Sequence, residues 1–253
     1  MNNTTIETKK IFLTPTGSYL TDSFYANLSY NIPFLFSKDP NLIYNSIKVL
    51  HCEIPFSWYI INSNNNSLVL STGTITLTQG NYNANSFITL VQPLLPVGMV
   101  ITFNNIVGIF TFTHTTSFSI LSTSTCYKIL GMTKNTSYSS ITNIILLPFM
   151  ANFLGTKNVY INIPNLSLNN FNSSTKTYST LLCIQVNASP YGIIFYENKS
   201  GNKNIIKGIK DDILQIQILD DDFNSINFNN TEWSITLEIE TCINSIFIQT
   251  PTL

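Results

Sequence analysis

The sequence predicts an all-β fold built as a sandwich of two sheets, and three observations support this prediction. Segment 211–240 shows a strict alternation of apolar and polar residues, interrupted once by a polar turn. Short stretches rich in β-branched and aromatic residues recur along the chain between Asn, Ser, Pro and Gly. Only one stretch has the spacing of a helix. Many short strands with turn signals between them are typical of a sandwich or a jelly roll.

The clearest pattern lies in segment 211–240, which we predict to be a hairpin. A period of two places each apolar set on one face of a strand, so a shift by one residue would turn the whole set outward. Asp220, Asp221, Asp222 and Asn224 supply turn chemistry between the two strands. Trp233 is the predicted structural anchor of the core. The alternating apolar residues are Leu214, Ile216 and Ile218 before the turn, and Trp233, Ile235, Leu237 and Ile239 after it.

The other elements are taken from the N-terminus onward. Residues 1–10 are polar and predict a flexible arm without a signal peptide. Segment 42–61 is β-rich, and Pro55 is expected to end its first strand. By parity, one face of that strand carries Ile43, Ile47, Val49 and His51. Further strands are predicted at 24–36, 159–163, 181–186, 192–196 and, as a last strand or a docking tail, at 243–249.

Residues 67–133 combine short strand patterns with one stretch of helical spacing. We therefore predict that they form a small β-rich insertion with one short helix. The helix is expected over about 84–92, where the apolar residues Phe87, Leu90, Val91 and Leu94 follow helical spacing. A hairpin is expected to turn at Asn104-Asn105 or at Gly108. The jelly-roll domain then comprises residues 1–66 and 134–253. Within it, the apolar segment 144–154 predicts a buried connection.

The composition predicts a protein that functions as a subunit of a larger assembly. Only 10% of residues are charged, whereas globular chains average about 25%. Asn, Ser and Thr occupy the remaining polar positions. A lightly charged surface is poorly protected against association, and interface cores are depleted in charge. The alternative explanation is a codon bias that replaced Lys, Arg and Glu with Asn.

The basic residues argue against a nucleic-acid partner. The chain has no Arg among its 12 basic residues, and its net charge is -1. The guanidinium fork that reads guanine and phosphate in a bidentate manner is therefore missing, and no basic run replaces it. No apolar run reaches about 18 residues, so no transmembrane segment is expected.

No motif predicts catalysis or a cofactor. The two histidines, His51 and His114, stand alone in predicted strands and are expected to have structural roles, and no GxSxG elbow is present. The glutamates that could form a hydrolytic pair have no specific spacing. We therefore predict no catalytic residue, no cofactor and no enzyme activity. The four cysteines, which lack a CxxC spacing, are expected to be reduced and buried: Cys52, Cys126, Cys183 and Cys242.

One acidic cluster is a weak candidate for a metal site. Closely spaced carboxylates in a loop suit Ca²⁺, and Asp220, Asp221 and Asp222 are such a group. The segment lacks the alternating ligands and the Gly of an EF-hand loop. A solvated turn is the favoured interpretation, and no metal is predicted.

Three stretches, in their order, resemble a known family. They are YNSIKVLHCEIPFSWYII at 44–61, ITLTQGNYNANSFITLV at 75–91 with GIFTFT at 108–113 and YKILGM at 127–132, and ILQIQILDDDFNSINFNNTEWSITLEI at 213–239. Together these stretches resemble the penton, or minor capsid, proteins of virophages and polinton-like viruses. The resemblance implies a single jelly-roll structural protein of the virion, made in the host cytoplasm, with no catalytic residues.

The resemblance also implies partners. Five copies would form a penton at each icosahedral vertex, with trimers of the major capsid protein around it and the insertion projecting outward. The same viruses carry a second minor capsid protein, which these motifs do not separate from the first. Two other functions stay open: a host-attachment or glycan-binding β-module, and a hydrolase on a β-sandwich.

Overall fold

The structure, a computed structural model, describes residues 3–168, 170, 173, 177, 179–206 and 212–245. The chain divides into two compact units. One comprises Met1–Trp58 and Thr156–Leu253 and is called the sandwich unit below. The other comprises Tyr59–Gly155 and is called the inserted unit.

The described residues form strands connected mostly by turns, with little helix. The helices are α1 (Ala84–Val91) and α2 (Tyr127–Leu130), and 3-10 turns span Pro15–Gly17 and Gln92–Leu94. The strands are β1 (Asn3–Leu13), β2 (Leu20–Thr21), β3 (Asn27–Asn31), β4 (Leu42–Pro55), β5 (Ser67–Leu70), β6 (Gly73–Thr76), β7 (Val100–Asn104), β8 (Ile109–Thr113), β9 (Ser119–Ile120), β10 (Tyr138–Ser139), β11 (Ile144–Leu146), β12 (Asn158–Asn162), β13 (Thr180–Gln185), β14 (Ile193–Glu197), β15 (Asn204–Ile206), β16 (Ile213–Leu219) and β17 (Ser234–Ser245).

The sandwich unit is a jelly roll of two antiparallel sheets. The first sheet has the order β1-β17-β4-β14, with β15 also paired to β4. The second has the order β13-β12-β16-β3-β2. Along the chain, β1 and β4 belong to the first sheet and the intervening β3 to the second, while the last strand returns to pair with the first. The predicted all-β jelly roll with a small β-rich insertion and a short helix is therefore confirmed.

The core lies between these two sheets and is filled by alternate residues of their strands. Each such side chain stabilises the fold by about 1.5–3 kcal/mol through its burial. The alternation in 211–240 identified this face correctly. Its six inward residues, all at most 1% exposed, are Leu214, Ile216 and Ile218 on β16 and Ile235, Leu237 and Ile239 on β17.

The predicted hairpin between these two strands is wrong. β16 pairs with β3 and β12 in the second sheet, whereas β17 pairs with β1 and β4 in the first. The polar segment 220–233 therefore crosses from one sheet to the other instead of turning within one. A period of two fixes which face of a strand is buried, but it does not select the strand's partner.

The predicted flexible arm, residues 1–10, is also corrected. Strand β1 runs antiparallel to β17 from the pair Asn3–Ser245 to the pair Leu13–Ile235. The polar sequence of β1 gives no hydropathy signal for a strand. The strand forms nevertheless, because ladder hydrogen bonds use main-chain groups and do not depend on side-chain hydropathy. Of the predicted last strand, residues 243–245 belong to β17. Residues 1–2 and 246–249 lie outside the described residues.

Other strands agree with the sequence. The predicted strands at 159–163, 181–186 and 192–196 correspond to β12, β13 and β14 and are confirmed within a residue or two. Strand β4 ends at Pro55, as expected.

The inserted unit has its own core between two small sheets and α1. The sheets have the orders β10-β9-β5-β6 and β11-β8-β7. The predicted helix and hairpin are confirmed as α1 and as β7–β8, and the Asn83 and Ser86 side chains cap the N-terminus of α1 reciprocally. Buried residues of this core include Phe87, Phe110 and Phe112.

The boundaries of the insertion differ from the predicted 67 and 133. The unit reaches from Tyr59 to Gly155, because β10 and β11 pair with β9 and β8 of the predicted insertion. The expected buried connection at 144–154 is wrong for most of its length. Only Ile145 and Leu147 of its large aliphatic side chains are buried, while Leu146, Phe149, Met150 and Leu154 are exposed.

Replacement of Trp233 tests the anchor of the sandwich core. Its side chain is 2% exposed, and its indole N–H donates to the carbonyl oxygen of Tyr25 at 2.8 Å. We expect Trp233→Ala to lower the free energy of unfolding by about 3–5 kcal/mol, measured by denaturant unfolding. Phe34→Ala, at a side chain that is 82% exposed, is the control and should cost at most about 0.5 kcal/mol. A Trp233→Ala protein as stable as the wild type would contradict the assigned register.

Replacement of Gly131 tests the packing of the inserted unit. Gly131 has φ +77, and an added Cβ would lie 2.1 Å from the carbonyl oxygen of Phe149. The matched control is Gly98, whose φ is +83 but whose added Cβ would come no closer than 3.6 Å to its neighbours, which are side-chain atoms of Thr115 and His114. We expect Gly98→Ala to cost about 1 kcal/mol and Gly131→Ala about 3 kcal/mol or more in denaturant unfolding. Equal costs would rule out the steric contribution.

Candidate assembly surfaces

Two carboxylates of the acidic cluster 220–222 accept hydrogen bonds that hold the turn after β16. The Asp220 carboxylate accepts hydrogen bonds from the N–H groups of Asp222 and Asn224 at 2.8 and 2.9 Å. The Asp221 carboxylate accepts from the N–H of Lys157 and from the side-chain amide of Asn158. Burial raises the pKa of Asp220. Within the described ranges, no group of three or more His, Cys, Asp or Glu side chains could hold a metal ion.

The two histidines lie outside the core, so the face that parity predicts for His51 is wrong. His51 is exposed, and its Nε2 lies 2.9 Å from the hydroxyl of Thr236. The cause is a bulge in β4: Val49 lies opposite Leu237 and His51 opposite Thr236, so Leu50 is extra and the parity reverses. His114 is half-buried in the inserted unit, with its ring nitrogens 3.2 Å from the carbonyl oxygens of Thr116 and Val97.

Three of the four cysteines are buried as expected, and all four are free. Burial raises the pKa values of Cys52 and Cys126 to about 12, which keeps these thiols protonated and unreactive. Cys183 is exposed, contrary to the prediction. It lies on β13, which is an edge strand.

The glutamates of β17 form ion pairs on the outward face of the first sheet. Glu238 pairs with Lys48 at 2.7 Å. Glu240 accepts from Lys203 at 2.5 Å and from the Tyr44 hydroxyl at 2.6 Å, and the Lys203 contact is the main cause of its lowered pKa. Both side chains are only about 15% exposed. Each carboxylate is thus engaged by a lysine and not by the other carboxylate.

The sandwich has two open sides, and each is bordered by the edge strands of both sheets. Strands β1 and β14 are the outermost strands in the order of the first sheet, and β2 and β13 are those of the second. Edge strand β2 of the second sheet follows edge strand β1 of the first sheet along the chain. The side of the sandwich that β1 and β2 border is called the first side. Since β13 leads into β14, we call the opposite side the second side.

The first side exposes large apolar side chains beside a lysine. Phe12 is 74% exposed, and Lys10 lies on the same outward face of β1. Protein edges are normally protected by charge, Pro or bulges, and exposed apolar groups there mark contact sites. The apolar residues of this side are Ile6, Phe12, Tyr19 and Leu20.

The second side exposes a different apolar set beside a glutamate. Phe195 is 54% exposed and lies opposite Glu53 of β4 across the ladder. Ile194 and Ile54 of the neighbouring pair are fully buried, so Phe195 and Glu53 face outward. The exposed apolar residues of this side are Tyr191, Ile193 and Phe195, together with Ile205 of β15, which pairs with β4 on the same edge.

The inserted unit has a surface almost without charge. Between Tyr59 and Gly155 the sequence contains no Asp or Glu, and its only lysines are Lys128 and Lys134. Many large apolar side chains of this unit are nevertheless exposed. They include Val97, Ile106, Ile141, Leu146, Met150 and Leu154.

The fold and these surfaces define an insertion-bearing jelly-roll protein with two apolar open sides. No described helix is long and apolar enough to span a bilayer. The chain matches no protein-family model and no curated protein sequence. Among solved structures it is similar to the crystal structure of the SeMet-labelled mavirus penton protein. The two are 14% identical, the match covers 93% of this chain and 99% of that chain, and the TM-score is 0.45.

The Glu240 cluster gives a pH-dependent prediction. Because the folded protein holds the pKa of Glu240 below its value of 4.5 in the unfolded chain, its contribution to stability is complete above that pH. The contribution is lost as the pH falls through the folded pKa. We expect Glu240→Gln to lower stability at pH 7 by about 1 kcal/mol and to flatten the decline of Tm below pH 4.5.

The control for this prediction is Glu7→Gln, at an exposed position of β1 with no ion pair in the described part of the chain. Its Tm profile should run parallel to that of the wild type. Parallel profiles for Glu240→Gln as well would show that the cluster does not contribute.

Proposed function

We propose that the chain is a structural protein of a viral capsid and acts by assembling into a closed ring through its two open sides. The observation that carries this proposal is the pair of unlike apolar sides on opposite edges of one sandwich. A ring requires a heterologous interface, in which one surface of each copy meets a different surface of the next. A two-fold dimer would need only one self-complementary surface.

The charges beside the two sides support contact between copies. Lys10 accompanies Phe12 on the first side, and Glu53 accompanies Phe195 on the second. Neither forms an ion pair with any residue in the described ranges, in contrast to Glu238 and Glu240. When the first side of one copy meets the second side of the next, opposite charges lie beside the apolar contact. Such complementarity sets the register and favours the correct partner.

The finer proposal is a penton. In it, five copies close around an icosahedral vertex of a virophage-type particle and contact trimers of the major capsid protein at their periphery. The virion is then the site of function, after synthesis in the host cytoplasm. The inserted unit would project outward. Support comes from the resemblance of segments 44–61, 75–91 and 213–239 to pentons and from the low charge content of 10%.

Cysteine cross-linking tests this arrangement. In a Cys183→Ser background, we expect Phe12→Cys combined with Phe195→Cys to give an oxidised ladder that ends at a pentamer on denaturing gels. Each single variant should remain monomeric, because an unlike surface faces its cysteine. Dimers from Phe12→Cys alone would indicate a two-fold contact and overturn the ring. A ladder that ends at a trimer would overturn the penton.

A charge exchange tests the register of the same contact. We expect Lys10→Glu or Glu53→Lys alone to reduce the oligomer mass measured by light scattering, and the double variant to restore it. Lys134→Glu, at an exposed lysine of the inserted unit, is the matched control and should leave the mass unchanged. Single variants that assemble like the wild type would remove Lys10 and Glu53 from the contact.

A further inference from the structure

A groove of about 560 Å³ opens on the outward face of the second sheet of the sandwich unit. Strands β12 and β16 supply its floor through Asn162 and Gln217, which are cross-strand partners. The turn after β16 supplies Phe223 and Ser225. The volume lies within the range of about 300–1,000 Å³ that is typical of small-molecule sites.

The floor of the groove contains a buried polar group without a partner. Asn162 is 4% exposed, and no hydrogen-bond donor among the described residues reaches its side-chain oxygen. A buried amide oxygen without a donor destabilises the folded protein. It follows that a hydrogen-bond donor from a ligand in the groove would recover this free energy.

The remaining polar groups of the groove are neutral. None of the described residues that line it is charged. The side-chain amide of Gln217 has no partner in the described part of the chain. Ser225 accepts a hydrogen bond from Asn27 at 2.9 Å and keeps its own hydroxyl hydrogen to donate. Neutral groups that both donate and accept suit hydroxyl groups better than phosphates, carboxylates or cations.

An aromatic ring completes the groove. Phe223 is half-buried, and its ring centroid lies 4.9 Å from that of Tyr160. Its φ of 61 lies in the left-handed region, as the turn after β16 requires. Leu219 adds a further apolar surface. An aromatic face beside neutral amides and hydroxyls matches the apolar C–H face and the hydroxyl rim of a sugar.

We propose that this groove binds a neutral saccharide. A sugar hydroxyl donates to the Asn162 side-chain oxygen, Gln217 and Ser225 bond neighbouring hydroxyls, and Phe223 packs against the C–H face of the ring. The inference does not depend on ring assembly, because every residue that it uses belongs to one copy. It places saccharide binding on the jelly roll, whereas the attachment function weighed from the sequence had no assigned residues.

Saturation-transfer NMR on the intact chain tests the proposal, with maltose, lactose and N,N′-diacetylchitobiose as neutral probes and sialyllactose as the acidic probe. We expect transfer to at least one neutral sugar. Asn162→Ala and Gln217→Ala should each weaken its binding about tenfold or more. Asn162→Ala should not lower Tm, because it removes a buried polar group that has no partner. Phe34→Ala, at an aromatic residue outside the groove that is 82% exposed, is the matched control and should bind like the wild type.

Two results would contradict saccharide binding in this groove. Transfer to none of the neutral sugars, or only to sialyllactose, would overturn the proposal. Unchanged affinity in both Asn162→Ala and Gln217→Ala would also overturn it, since the sugar would then bind elsewhere. Loss of assembly without loss of sugar binding would count against the ring alone.

Discussion

The pairing of β17 with both β1 and β4 is the interaction on which the rest of the sandwich depends. β17 pairs with two strands of the first sheet, and its inward residues Ile235, Leu237 and Ile239 belong to the same core as the alternate residues of β16 in the second sheet. Without β17, strand β1 would have no pairing partner in the described part of the chain. The core would also lose a central strand of the first sheet. The bulge between β4 and β17 then decides which residues of β4 face outward, including His51 and Glu53.

The surfaces follow from this architecture. Because the sheets are open and not closed into a barrel, the sandwich has edge strands on two opposite sides. Natural edge strands usually carry charge or Pro, yet Phe12 and Phe195 are exposed on the outermost strands of the first sheet. The ion pairs of Glu238 and Glu240 neutralise the centre of the same face. Exposed aromatic side chains therefore lie at both borders of this face, beside a centre whose carboxylates are paired.

The sequence predicted the strands better than their partners. Alternation in 211–240 identified the buried face of β16 and β17, and helical spacing located α1, because both signals are local. The partner of β17 could not be found in this way, since β1 lies more than two hundred positions away and has a polar sequence. The exposure of His51 depends on an extra residue in β4, which no periodicity shows. The groove was missed for the same reason: Asn162 and Phe223 come together only through the second sheet.

The pairing of the first strand with the last has a consequence for how the protein is made. β1 leaves the ribosome before β17, which is synthesised more than two hundred residues later. The first sheet therefore cannot close before that point, and folding must wait for long-range contacts, which form slowly. Until then, the inward side chains of the second sheet have no complete first sheet to cover them. The order of synthesis thus leaves one side of the sandwich core open to solvent until β17 has been made.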